Sequence, residues 1–185
     1  DIDKPYKNIN KTQKIRKLKK KKRRLQRKIS RKYLINKKGD SYCKTSNIIK
    51  IEKKLLKLNH RLTDIRYNYL HQVTTEIINR KPKFIVLEDL NVKGMMKNKH
   101  LSKAVAEQCF YEFYRQIEYK SSWNNIKFII ADRFYASSKI CSCCKAVKKD
   151  LKLSDRIYKC DNCNTVIDRD KNASINLYNY GKSIA

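Results

Sequence analysis

Phe84-Ile85-Val86-Leu87-Glu88-Asp89-Leu90 is the stretch on which the reading of this chain turns. Four apolar residues, β-branched at their centre, follow Pro82, which cannot continue a helix, and they are too few to form one themselves. The spacing predicts a short, fully buried strand from Phe84 to Leu87 that ends in the paired acids Glu88 and Asp89. Carboxylates are scarce here, 17 Asp+Glu against 46 Lys+Arg. A pair of them at a strand end is therefore a candidate site.

Upstream of this strand the chain is dominated by positive charge. From Lys4 to Gly39 there is no acidic residue, and KTQKIRKLKKKKRRLQRKISRKY (Lys11 to Tyr33) is cationic at most positions. Within it Ile15, Leu18, Leu25, Ile29 and Tyr33 recur at helical spacing, one thin apolar stripe on a helix whose other faces are basic. Ile48, Ile51, Leu55, Leu58, Leu62, Ile65 and Tyr69 give a second stripe in alternating steps of three and four. The two stripes predict an antiparallel helical hairpin, turned around Asn36 to Ser46 with Gly39-Asp40 at its tip, and extended by Val73 and Ile77 toward Pro82.

Solvated helix faces normally interleave both signs of charge, and a one-signed face repels itself unless a polyanion offsets it. With a net charge of +29, the expected partner is nucleic acid, contacted by Lys19, Lys20, Lys21, Lys22, Arg23, Arg24, Arg27, Lys28 and Arg31. Tyr6, Tyr33, Tyr67 and Tyr69 are candidates for base stacking, or for packing inside the hairpin. No apolar run is long enough to span a membrane, and no hydrophobic region follows the basic N-terminal stretch. These features predict a cytoplasmic, nucleoid-associated protein.

Downstream, NVKGMMKNKHLS reads as a loop. Val105, Cys109, Phe110, Phe113 and Ile117 then mark one amphipathic helix ending near Trp123, and a second strand follows from Ile126 to Ala131. Cys141-Ser142-Cys143-Cys144 and Cys160-Asp161-Asn162-Cys163 lie 15 residues apart, the spacing of a four-thiolate zinc ribbon. Cys141, Cys144, Cys160 and Cys163 are the expected ligands of a closed, structural Zn²⁺ site; Cys143 is a competitor, while Cys43 and Cys109 read as ordinary cysteines. In DRDKNASINLYNYGK, Asp170 or Asn172 is the expected cap of a last helix stopped by Gly181. Glu88 with Asp168 and Asp170 could supply metal-binding carboxylates from a strand end and a helix start. From spacing alone, a capping acid and a lysine partner account for them equally well.

VLEDLNVKGM (Val86 to Met95), YEFYRQIEYKSSW (Tyr111 to Trp123), DRFYASSKICSCCKAVKKDLKLSDRIYKCDNC (Asp132 to Cys163) and DRDKNASIN (Asp168 to Asn176), in this order, resemble the C-terminal half of the TnpB (OrfB) family. These are transposon-encoded proteins similar to the nuclease lobe of type V CRISPR effectors. The resemblance implies an α/β fold: an incomplete RNase H-like (RuvC) layer, a long basic helical hairpin and an inserted four-cysteine zinc ribbon. It divides the chain at 1–81 (hairpin), 82–138 (RuvC-like part), 139–167 (ribbon) and 168–185 (last motif and helix). It also implies an RNA-guided, Mg²⁺-dependent DNA endonuclease with DNA and a guide-type RNA as partners. Of three family carboxylates, Glu88 matches the second and Asp170 the third, with Asp168 a second choice.

The first family carboxylate has no counterpart, since Asp1-Ile2-Asp3-Lys4-Pro5 is not a G-I-D-L-G motif. The expectation is a truncated protein, inactive alone and in need of a missing N-terminal portion. The alternative is a non-catalytic DNA/RNA-binding regulator with a zinc ribbon. Lys145 and Asn164 stand where the family has glycine after each C-x-x-C, and Ala136 where it has proline, which reads as relaxed constraint.

Overall fold

The computed structural model describes residues 6–152 and 154–184, so the Asp1 to Pro5 stretch lies outside the described residues. The cationic stretch forms α1 (Gln13–Ile35) and the heptad stretch forms α2 (Ser46–Asn79). Thr45 caps α2, its hydroxyl accepting from the Ile48 N–H. The apolar stripes face each other: Ile15, Ile48, Ile51, Leu58 and Leu62 are buried, and Leu18, Leu25, Ile29 and Tyr33 partly so. The helices run antiparallel. Tyr33 donates to Glu52 Oε1 at 2.7 Å near the turn, and Arg66 donates to Asn10 Oδ1 at 2.8 Å toward the other end. The turn is a small antiparallel ladder of β1 (Lys37–Lys38) and β2 (Ser41–Tyr42), with Gly39 at φ +55 closing the tip.

After Lys81, in the left-handed region at φ 48, and Pro82, the chain enters β3 (Phe84–Glu88). This strand pairs in parallel with β4 (Lys127–Ala131), from Phe84 opposite Lys127 to Glu88 opposite Ala131. Parallel pairing requires a crossover. It is made by α3 (Val92–Lys97), α4 (Ser102–Gln108) and α5 (Phe110–Trp123). Two expectations are corrected here. The predicted loop contains α3, because Asn91 caps it by accepting from the Gly94 N–H at 2.9 Å. The predicted single helix from Val105 to Trp123 is two, broken where Cys109 takes a left-handed φ of 54. Cys109 therefore sits at a helix junction.

A third correction concerns β3, expected to be fully buried. Its residues are half-buried, because among the described residues only β4 pairs with it. A cavity of about 810 Å³ runs along it, lined by Tyr6, Ile9, Tyr69, Val73, Ile85 and Phe113 among others.

The last segment forms β5 (Ile157–Lys159) antiparallel to β6 (Val166–Asp168), then α6 (Arg169–Ile184), which packs on β3 and β4. Gly181 does not stop α6, which runs on to Ile184. Its lack of a side chain serves close approach instead: a Cβ there would lie 2.3 Å from Val86 Cγ2 and 2.6 Å from Phe84 Cε2. Tyr178 stacks on Phe84 beside it, ring centroids 5.5 Å apart. Among the described residues no helix is long and apolar enough to cross a membrane.

Candidate metal centre and carboxylate site

The two C-x-x-C segments fold into knuckles. The Cys141 N–H donates to the Ala146 carbonyl at 2.8 Å, the Lys145 N–H to the Cys141 carbonyl at 3.0 Å, and the Cys160 N–H to the Thr165 carbonyl at 2.9 Å. Both knuckles turn through the left-handed region, at Lys145 (φ 65) and Asn164 (φ 55). Neither position carries a glycine, and the left-handed backbone is a strain that Asn bears more readily than Lys. The sulfurs of Cys141, Cys144, Cys160 and Cys163 all lie within 4.8 Å of one another. Cys141 and Cys163 are 3.6 Å apart, and Cys144 and Cys160 are 3.5 Å apart. A tetrahedral Zn²⁺ with bonds of about 2.3 Å spaces its sulfurs by about 3.8 Å, so the donor set fits that ion.

Tyr158 is buried under the cluster beside Cys141 and Cys160, and burial pushes its phenol up to about 12. The Thr165 hydroxyl, 3.1 Å from Cys163 Sγ, lowers that thiol, while burial and the neighbouring sulfurs of Cys144 and Cys163 raise Cys160. Cys143 is exposed and outside the cluster.

The carboxylates are arranged differently. Glu88 closes β3, and its Oε1 accepts from Ser137 Oγ at 2.5 Å, while the Tyr114 hydroxyl donates to its backbone carbonyl. Neighbouring Asp89 pairs with Arg133 at 2.6 Å. Asp170 opens α6 with its side chain 78% exposed, 3.8 Å from Arg169 Nε. Asp168 caps α6, in place of the expected Asp170 or Asn172, its Oδ1 accepting from the N–H groups of Asp170 at 2.9 Å and Lys171 at 3.0 Å. Among the described residues the four cysteines are the only set of three or more potential ligands gathered closely enough to hold a metal.

Two buried asparagines, which the sequence reading did not single out as anchors, join these regions. Asn172 Oδ1 accepts from the Ser142 N–H at 2.9 Å and its Nδ2 donates to the Ile140 carbonyl at 2.7 Å. Asn176 Nδ2 donates to the carbonyls of Ser137 at 2.8 Å and Ile140 at 2.7 Å. Segment 137–142 thus runs from the partner of Glu88 to the first knuckle, tied throughout to α6. Their i, i+4 spacing on an otherwise amphipathic helix was the available signal, because a buried amide must find partners.

On α1, Lys20, Lys21, Arg23, Arg24, Arg27, Lys28 and Arg31 are exposed, and Lys19 and Lys22 are half-buried. Lys19 pairs with Glu107 at 2.6 Å, and Arg66 reaches the same carboxylate at 3.5 Å. Lys22, Arg23 and Lys103 line a cleft of about 470 Å³ beside them. Of the tyrosines, Tyr33 and Tyr69 spend their hydroxyls on Glu52 and the Lys7 carbonyl, the Tyr6 hydroxyl is buried, and Tyr67 is exposed.

Residues 110–177, from α5 through the cysteines into α6, match the family model described as Cas12f1-like, TNB domain. The fold is also similar to the Cas12f1 chain of a cryo-EM structure of a Cas12f1-sgRNA-target DNA complex, at a TM-score of 0.56 and 21% identity over 71% of this chain and 38% of that one. In sequence the chain is 35% identical over 133 residues to a Streptomyces pristinaespiralis protein named "Putative RNA-guided DNA endonuclease", a match spanning 72% of this chain and 33% of the relative. It is 30% identical over 125 residues to a TnpB-like protein of Methanocaldococcus jannaschii, spanning 63% of this chain and 43% of the relative. The chain is thus similar to part of the TnpB-like and RNA-guided endonuclease relatives, and it spans about a third of the first relative's length.

Proposed function

We propose that this chain is the hairpin, RuvC-like and zinc-ribbon part of an RNA-guided DNA endonuclease, and that by itself it binds nucleic acid without cutting it. On this reading 1–81 is the insert hairpin, 82–138 and 168–185 belong to an RNase H-like layer, and 139–167 is the ribbon that Zn²⁺ closes. The observation that carries it is the position of Glu88, at the end of a parallel strand, held by Ser137, with Asp170 at the start of the helix packed on that strand. In strand-end nuclease sites carboxylates from separate elements hold divalent metal, and Mg²⁺ there would activate water and stabilise the leaving oxygen.

Glu88 and Asp170 would supply two ligands, with Asp168 kept to capping. A further acid would come from an N-terminal portion, for which the edge of β3 left unpaired among the described residues and the cavity beside it leave room. Guide-type RNA and DNA are the partners, met by Lys20 to Arg31 through backbone phosphates. A cytoplasmic, nucleoid-associated location follows from such partners.

The test is to incubate the zinc-loaded chain with plasmid and single-stranded DNA, with and without Mg²⁺, beside Glu88→Ala. The expected result is no cleavage by either protein, and binding that weakens by about three to five decades between about 50 and 200 mM salt if six to ten phosphates are engaged. Mg²⁺-dependent cutting lost in Glu88→Ala would overturn the claim of inactivity; absence of salt-sensitive binding would overturn the nucleic-acid reading. A second reading, a non-catalytic DNA/RNA-binding regulator, is favoured by the absence, among the described residues, of a metal-sized group of acids that includes Glu88 or Asp170. Cleavage restored by adding an N-terminal fragment would eliminate it.

A further inference from the structure

Helix α5 buries Gln116, Ile117 and Ser121, and Gln116 meets α2 through a 2.9 Å hydrogen bond with Thr74. Another face carries Tyr111, Arg115, Tyr119 and Trp123, spaced by four, which makes one row down the helix. Aromatic rows at helical spacing usually point into a core. This one does not: Tyr111 is 79% exposed and Trp123 77%.

The middle of the row is fixed. Arg115 donates to both oxygens of Glu112, at 2.9 and 2.8 Å, and its guanidinium lies over the Tyr119 ring, 5.5 Å from the centroid. Hydrogen bonds from Arg115 first, and then Gln116, hold the Glu112 carboxyl down at about 2, so the fork stays charged. Tyr119 in turn meets Trp123 edge to face, with centroids 4.7 Å apart. Rings anchored by neighbours but open to solvent are prepaid for a flat ligand, because little side-chain freedom remains to be lost.

Successive members of the row are about 6 Å apart along the helix. That exceeds the about 3.4 Å rise of a stacked duplex strand, so it suits bases splayed from a single strand. A chain of net charge +29 selects a polyanion for that strand. We infer that the row Tyr111, Arg115, Tyr119 and Trp123 is a stacking platform for unpaired bases of a single-stranded nucleic acid. The inference rests on the nucleic-acid reading above and adds to it a second contact surface that holds bases where the cationic helix holds phosphates.

Trp123 is the chain's only tryptophan, so intrinsic fluorescence reports this row directly. The zinc-loaded chain is titrated with end-labelled oligothymidylate and oligouridylate, and with an abasic strand of equal length and charge, reading label anisotropy and Trp123 emission together. Quenching by either base-bearing strand, and not by the abasic one, is the expected result, the two sugars telling DNA from RNA. Trp123→Ala should weaken base-bearing strands by about 5- to 150-fold, leave the abasic strand unchanged, and be largely rescued by Trp123→Phe. Binding by anisotropy with equal Trp123 emission for all strands would overturn the platform and leave the row to a protein partner. Absence of binding by any strand would instead remove the nucleic-acid reading, and the platform with it.

Discussion

The thiolate cluster and Glu88 lie at the two ends of one short segment, 137–142, and the cysteines and the carboxylates differ in how they are built. The cysteines come from two knuckles whose backbone hydrogen bonds gather the sulfurs, and all four lie within 4.8 Å of one another. Glu88 and Asp170 come from a strand and a helix distant in sequence, and each is occupied locally: Glu88 by Ser137, Asp170 by solvent and Arg169. A closed site can be completed by contiguous chain, whereas an open one needs the whole layer around it.

The largest test of that difference removes a thiol. Cys160→Ser should lower the zinc content from about one per chain to near zero and unfold 139–167, because metal binding is folding energy for a segment this short. Cys143→Ser should change neither zinc content nor melting. Full zinc retention by Cys160→Ser would mean that Cys143 can enter the site and that the cluster is less closed than its geometry indicates.

Next in size is the clamp. Asn172→Ala strips the partner from the part-buried Ser142 N–H, while the Ile140 carbonyl still accepts from Asn176, so a loss of about 1–3 kcal/mol is expected in denaturant unfolding. Because the Ser142 N–H lies inside the first knuckle, zinc affinity measured against a competing chelator should fall as well. A stability loss with unchanged zinc affinity would show the two centres to be independent.

Gly181→Ala probes the packing of α6 on β3, the strand that ends in Glu88. A methyl 2.3 Å from Val86 Cγ2 forces α6 away from β3, and overpacking of this kind costs about 1–3 kcal/mol. Zinc affinity should be untouched, since the knuckles are held from the other end of α6. Wild-type stability in this variant would mean that the helix has slack against β3.

These residues also mark where the sequence was legible. The hairpin stripes and cysteine spacing depend on local periodicity, which a single sequence displays. Gly181 and Cys109 were misread because their roles come from elsewhere: Gly181 answers to Val86 and Phe84 on a strand far upstream, and a left-handed Cys109 has no local signature. Glu88 and Asp170 stood out as scarce acids at a strand end and a helix start, only motif resemblance favoured them over plain capping or pairing acids, and Ser137, the partner of Glu88, was legible only in the folded chain. Asn91 offered a capping signal in a segment too polar to show periodicity.

Asp168 gives the smallest effect and the most direct separation of a structural acid from a catalytic one. Its Oδ1 accepts from two N–H groups that α6 cannot satisfy internally. Asp168→Ala should therefore cost about 1 kcal/mol, as loss of a cap typically does, while Asp168→Asn retains an acceptor and should lie within a few tenths of wild type. Asp170→Ala, which removes an exposed side chain with no capping bond, should leave stability unchanged. In a protein restored to cleavage the order reverses: Asp170→Asn should abolish Mg²⁺-dependent cutting, and Asp168→Asn should preserve it. If Asp168→Asn abolished cutting while keeping wild-type stability, the metal-binding acid at this helix start would be Asp168, and the open site would be built two residues earlier than its geometry indicates.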